Sequence, residues 1–289
     1  FQRTASFSIP ARNESIDRDY VAKVKSAYPE FRDANRRQTG AFGSNIRRGE
    51  TSALASTDDE RWAEFERRWD EGGFGFLSSY NDFLLHTDAN DLVAEFVRQK
   101  IRSIVKDPAT ADLLMPNQVI GCKRLCLDTG YYETFNRDNV TLVAVDNHPI
   151  ERITEHGLVV DGVEHTFDVL VYATGFDAMT GSLLKIDIRG RNNQSLADAW
   201  HGGPVTYLGL NTAGFPNMFM VSGPGSPSVL TNMIMSIEQH VEWIANCIAH
   251  MSDNNLSVIE TTEQSQSEWV AFVNAVADKT LYPSCNSWY

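Results

Sequence analysis

A helical repeat dominates the first third of the chain, from Asp17 to about Lys106. Apolar residues return every three or four positions: Tyr20, Val21, Val24, Tyr28 and Phe31, then Trp62, Phe65 and Trp69, then Leu92, Val93, Phe96, Ile101 and Val105. That spacing turns one helix face toward a core. Start signals agree, with Ser56-Thr57-Asp58-Asp59-Glu60 ahead of one helix and Asp88-Ala89-Asn90-Asp91 ahead of another. The stretches 38–52 and 71–75, rich in Gly and polar residues, read as loops. Residues 1–13 read as a short strand followed by a turn at Pro10 and Asn13.

The period changes at Pro116. Short β-rich runs follow at 141–145, 150–154, 157–160 and 165–167, with turns at Asp146-Asn147 and Asp161-Gly162. The run Val169-Leu170-Val171-Tyr172-Ala173 is continuously apolar and predicts a buried parallel strand. Beyond Gly175 come a polar loop at 189–194, a strand at 217–221 and a helix of about 20 residues from Val229. Leu230, Met233, Ile237, Val241, Ile244 and Ile248 share one face of that helix.

With 289 residues and 42% hydrophobic content, disordered and fibrous classes are excluded. Acidic residues outnumber Lys and Arg by 38 to 25, a net charge of −13, so neither nucleic acid nor an anionic membrane is the expected partner. The apolar runs are too short to span a bilayer and no leader pattern opens the chain, which points to a cytoplasmic protein. Cysteines at 122, 126, 247 and 285 have neither scaffold spacing nor a neighbouring His, so they are expected to be buried free thiols and no metal site is expected. With no initiator Met and Phe1 already in a strand-like run, the chain is expected to be a fragment whose N-terminal segment is missing or carried by a partner chain.

Gly223-Pro224-Gly225-Ser226-Pro227-Ser228, between a predicted strand and a predicted helix, imitates a dinucleotide-binding G-x-G-x-x-G. Two prolines remove amide donors and Ser replaces the third Gly, so the imitation is poor. A Gly- and Ser-rich helix entry suits an anion or an electron-rich ring, but these residues alone read first as a turn without a ligand. Glu238 and His240, two apart on a helix, face different ways and are assigned structural roles. His148, His156, His165 and His201 lie in predicted loops or strand ends and are expected at the surface.

Several segments together carry a resemblance. They are Phe1-Gln2-Arg3-Thr4 with Pro10-Ala11-Arg12-Asn13, Gly121-Cys122-Lys123-Arg124, Tyr131-Tyr132-Glu133-Thr134-Phe135-Asn136-Arg137, Ala173-Thr174-Gly175-Phe176-Asp177-Ala178, Tyr207-Leu208-Gly209, the 223–228 segment and Ser287-Trp288-Tyr289. In order and spacing the chain resembles the middle and C-terminal part of flavin-dependent Baeyer-Villiger monooxygenases of the phenylacetone and cyclohexanone type. The resemblance implies an α/β fold, part of a flavoprotein with two Rossmann-like dinucleotide-binding domains and a helical insertion in the NADP domain. It implies residues 1–13 and 120–175 in the NADP-binding domain, 14–119 in the inserted helical subdomain and 176–289 in the FAD-binding domain.

By the same resemblance the cofactors are FAD and NADP, and the reactants are O2 and a small apolar ketone that becomes an ester or lactone through a C4a-peroxyflavin. Arg124 matches the family's catalytic arginine, a fixed cation that does not yield its proton. Arg3, Thr4 and Lys123 match positions that hold the NADP 2′-phosphate, a group that needs cations and hydroxyl donors. Met233 and Trp288 fall on the cofactor side, and Val229, Leu230, Thr231 and Met233 on the substrate pocket; Leu230 and Met233 equally suit plain helix core. Thr174, Gly175 and Asp177 read first as hinge residues. Two alternatives stay open: an N- or S-oxygenating flavin monooxygenase, and a non-catalytic remnant or binding module.

Overall fold

The computed structural model describes residues 1–38, 40–43, 46, 48–226 and 230–285. In chain order the elements are β1 (Ser8–Pro10), α1 (Arg18–Ser26), α2 (Tyr28–Arg36), α3 (Asp58–Glu71), α4 (Thr87–Ile104), α5 (Pro108–Leu114), β2 (Cys126–Asp128), α6 (Tyr131–Thr134), β3 (Ile150–Ile153), β4 (Gly157–Val160), β5 (Val163–Thr166), α7 (Gly181–Leu184), α8 (Leu196–Ala199), α9 (Met233–Asp253) and α10 (Glu263–Ala277). The fold is mixed α/β. Its described residues divide into two compact units, one within 1–15, 46–175 and 280–285, the other within 16–43 and 176–279. Helices α1 and α2 therefore cluster with the C-terminal segment, whereas α3 to α5 cluster with the strands.

In the first unit α3 begins at a reciprocal cap. Thr57 accepts from the Glu60 amide, and Glu60 accepts from the Thr57 amide at 2.9 Å. Its buried Phe65 and Trp69 meet Phe76 and Phe96, with the Phe65 and Phe96 rings 5.3 Å apart and Phe76 stacked on Phe96 at 5.9 Å. This aromatic cluster is the centre of a core shared by α3, α4 and β1. β1 pairs with β2 in parallel, Ser8 opposite Cys126. The antiparallel meander β3-β4-β5 keeps its central strand buried.

The expected single helical run over 20–31 is two helices, because Pro29 in the first turn of α2 has no amide to donate into α1. Where strands were expected at 141–145, one parallel bridge joins Gln2 to Ala144. The expected buried strand at 169–173 is absent: Val169 and Val171 are 75% and 78% exposed. A doubly buried strand needs neighbours on both edges, and among the described residues none pairs with this one. The expected strand at 217–221 is also replaced by turns, since Asn217 lies in the left-handed region and exchanges hydrogen bonds with Ile259 instead. No helix in the described residues is long and apolar enough to cross a membrane.

In the second unit Leu196, Trp200, Phe215 and Met220 form a small core. α2 lies against α9 through Arg32, which grips both carboxylate oxygens of Glu238 at 2.9 Å, and through Arg36, 2.9 Å from Glu242. Glu238 is thus a structural partner, as its place on the helix implied.

Candidate active site

The parallel register of β1 and β2 decides where the basic residues go. Arg3 and Thr4 precede β1 and Lys123 and Arg124 precede β2, so both pairs emerge at the same end of the strand pair, all four side chains exposed. A small cleft there is lined by Ser6, Phe7, Gly121, Lys123, Arg124 and Leu125 among others. Burial around it alternates with display: Ile120, Cys122 and Leu125 are buried, Lys123 and Arg124 are not. The core therefore holds the segment by three anchors and leaves two cations at its surface.

Three further constraints fix this turn. Gly121 sits at φ +91°, and a Cβ there would lie 3.0 Å from the Leu84 side chain, so only glycine fits without strain. Asn90 of α4, buried to 1% exposure, donates from Nδ2 to the carbonyls of Phe83 and Ile120, both at 2.9 Å, and accepts the Ile120 amide at 3.0 Å. Cys122 is disulfide-bonded to Cys285, with Cα atoms 5.8 Å apart. This pairing corrects the expectation of buried free thiols: two cysteines 163 positions apart are brought together by the tertiary fold, which spacing along the chain does not reveal. Cys126, also expected buried, is exposed.

Behind the turn, Tyr132 is buried and its hydroxyl accepts the Ser8 amide at 3.2 Å, tying α6 to β1. Burial pushes its phenol pKa well up. The Ser8 hydroxyl in turn donates to Asp128 across the strand pair.

Leu230, Thr231 and Met233 belong to the second unit. The expected helix from Val229 begins instead at Met233, because Asn232 caps it by accepting the Ile234 amide at 3.0 Å. Leu230 and Met233 are exposed at its entry, and the Thr231 hydroxyl lies 2.8 Å from that of Ser236. Val229 and Trp288 lie outside the described residues. The glycine-rich segment before them packs on 206–209, with the Thr206 hydroxyl donating to the Pro224 carbonyl at 2.7 Å. Gly209 (φ +68°) is needed there, since a Cβ would come within 2.7 Å of the Ser226 backbone amide. His240 is buried and accepts the Ser222 amide at Nδ1, 2.9 Å away, a structural role.

Two donor sets suit cofactor groups. Arg3, Thr4 and Lys123 supply two cations and a hydroxyl, the chemistry a phosphate needs. The buried hydroxyls of Ser222 and Ser226 have no hydrogen-bond partner among the described residues, so they can receive a polar group of an incoming ligand. No cluster of three His, Cys, Asp or Glu among the described residues is placed to hold a metal ion.

No family model matches the chain. Curated relatives cover all of it. A phenazine N-monooxygenase of Lysobacter antibioticus is 40% identical over 291 aligned residues, which are 100% of this chain and 53% of that protein. A cyclohexanone 1,2-monooxygenase of Acinetobacter sp is 38% identical over the same shares. The crystal structure of OTEMO in complex with FAD and NADP is 37% identical, with a TM-score of 0.94 over 100% of this chain and 54% of that one. Over its whole length the chain is similar to Baeyer-Villiger monooxygenases. It spans about half the length of the curated relatives it matches.

The residue that sequence reasoning passed over is Asn90. Its neighbours on α4, Ala89, Val93, Ala94 and Val97, are all buried, so Asn90 is a polar residue in the apolar stripe. That misfit was the available signal, because a buried amide must find partners.

Proposed function

We propose that this chain is the Arg124-bearing part of an FAD- and NADPH-dependent monooxygenase that inserts one atom of O2 beside a ketone carbonyl, giving an ester or lactone. The observation that supports the reading is that Arg3 and Thr4 precede β1 and Lys123 and Arg124 precede β2, at the same end of that parallel pair, in a chain similar over its full length to ketone monooxygenases. Arg3, Thr4 and Lys123 would hold the 2′-phosphate of NADP by charge-assisted hydrogen bonds. FAD, when bound and reduced, supplies the activated oxygen. Arg124 holds a positive charge in a fixed place, so the oxyanion that develops on the ketone oxygen meets a preorganised partner and no solvent needs to reorganise. Val229, Leu230, Thr231 and Met233 would line an apolar substrate pocket, with Met233 and Trp288 on the cofactor side. On this reading 1–13 and 120–175 belong to the NADP-binding domain, 14–119 to a helical insertion and 176–289 to the FAD-binding domain.

A second reading, oxygen transfer to nitrogen, is favoured by the 40% identity to a phenazine N-monooxygenase. The experiment uses the full-length protein, assayed with NADPH against cyclohexanone and phenazine. Lactone from the wild type, with Arg124→Ala lowering its formation about 100- to 1000-fold while FAD stays bound, is expected. Lactone formation by Arg124→Ala at the wild-type rate overturns the assignment, and N-oxide as the main product selects the second reading.

A further inference from the structure

We propose that Asn90 is the positioning residue for Arg124, an inference that rests on the reading of Arg124 above. The Asn90 amide is nearly saturated: both Nδ2 hydrogens and the carbonyl oxygen are used. Two of its three bonds grip the N–H and C=O of one residue, Ile120, so both peptide planes flanking that residue are set. Gly121 follows at its required φ of +91°, and Arg124 comes three residues later.

The third bond closes a ring. Asn90 holds the Phe83 carbonyl, the Leu84 side chain lies 3.0 Å from where a Cβ on Gly121 would be, and the Leu84 carbonyl accepts the Leu281 amide at 2.8 Å. From Leu281 the chain reaches Cys285, which is bonded to Cys122, back in the turn. Each side of the turn that displays Lys123 and Arg124 is therefore tied to the 83–84 segment, and the Asn90 side chain bonds to both ends of the circuit. A leucine at this helix position would satisfy the core as well. An asparagine costs desolvation and returns backbone geometry, which the adjoining cation needs, because a displacement of about 1 Å costs on the order of 100-fold in rate.

The test uses the full-length protein with Asn90→Leu, which removes all three bonds at similar volume, and Asn90→Asp, which keeps the acceptor for Ile120 and loses both donors. Two readouts are taken: hydrogen exchange of the peptide spanning 118–125 in the flavin-free protein, and lactone formed per NADPH oxidised. We expect exchange to quicken about tenfold or more, and coupling to fall by a similar factor while NADPH oxidation persists as peroxide release. Unchanged exchange overturns the clamp, as does wild-type coupling in either variant. So does a parallel loss of NADPH oxidation, flavin content and product, since that is what a merely structural residue gives. Should Asn90→Leu fail to fold, Asn90→Asp carries both readouts. Arg124→Ala is run alongside: full product formation there refutes the role of Arg124, and the clamp is then judged by exchange alone.

Discussion

His240 shows how one buried side chain makes the second unit sensitive to acid. Its Nδ1 accepts the Ser222 amide and so must be unprotonated there, and burial lowers the pKa of the ring. Unfolded, the same ring takes up a proton near its ordinary value of about 6.5. Above that pH the folded state carries no penalty. As pH falls below about 6.5 the unfolded chain binds a proton that the folded chain refuses, and stability declines until the depressed native pKa is reached. Melting temperature followed from pH 8 to pH 5 should therefore fall more steeply in the wild type than in His240→Gln, whose amide oxygen can accept from Ser222 without titrating. Parallel curves for the two proteins would show that the ring does not govern this acid response.

At the scale of elements, the first unit depends on the packing of α3 against α4. Phe96 touches Trp62, Phe65, Trp69 and Phe76 within 6.0 Å between centroids, and is 1% exposed. Phe96→Ala should cost about 3–5 kcal/mol, whereas removing the α3 cap with Thr57→Ala should cost about 1 kcal/mol. Urea midpoints at equal m-value would rank the two, and a larger loss at Thr57 would contradict this account. These elements were legible in the sequence because their signals are local: the Trp62-Phe65-Trp69 spacing and the Thr57/Glu60 cap both act within a turn or two of helix. The same holds for β4, flanked by its own hairpin turns. What could not be read depended on distant partners. The apolar run at 169–173 has strand composition, yet composition does not supply a neighbouring strand. Arg3, Thr4, Lys123 and Arg124 could be singled out by resemblance, but that they precede their strands at the same end of the pair follows from the β1/β2 register, and the proposed Asn90 clamp from a contact 30 residues away.

For the molecule as a whole, the segment 169–178 matters most. It has no regular structure, leaves Val169, Val171, Tyr172 and Phe176 exposed, and joins residues assigned to different units. An extended, exposed backbone is what a protease binds, so brief digestion of the 289-residue chain should nick it there first. The two pieces cannot then part completely. Cys122 lies before the nick and Cys285 after it, so their disulfide keeps the fragments covalently joined. The second unit also draws α2 from before the nick and α9 from after it, joined by Arg32–Glu238 and Arg36–Glu242. Those ion pairs are exposed and screened by salt, so by themselves they add little. The nicked chain should therefore run as one band without reductant and as two with it. In buffer containing both reductant and about 0.5 M salt, the fragments should separate more readily on size exclusion than with reductant at low salt. Two bands without reductant would mean that Cys122 and Cys285 are free thiols in solution, and the turn carrying Arg124 would then be held by Asn90 and its buried neighbours alone.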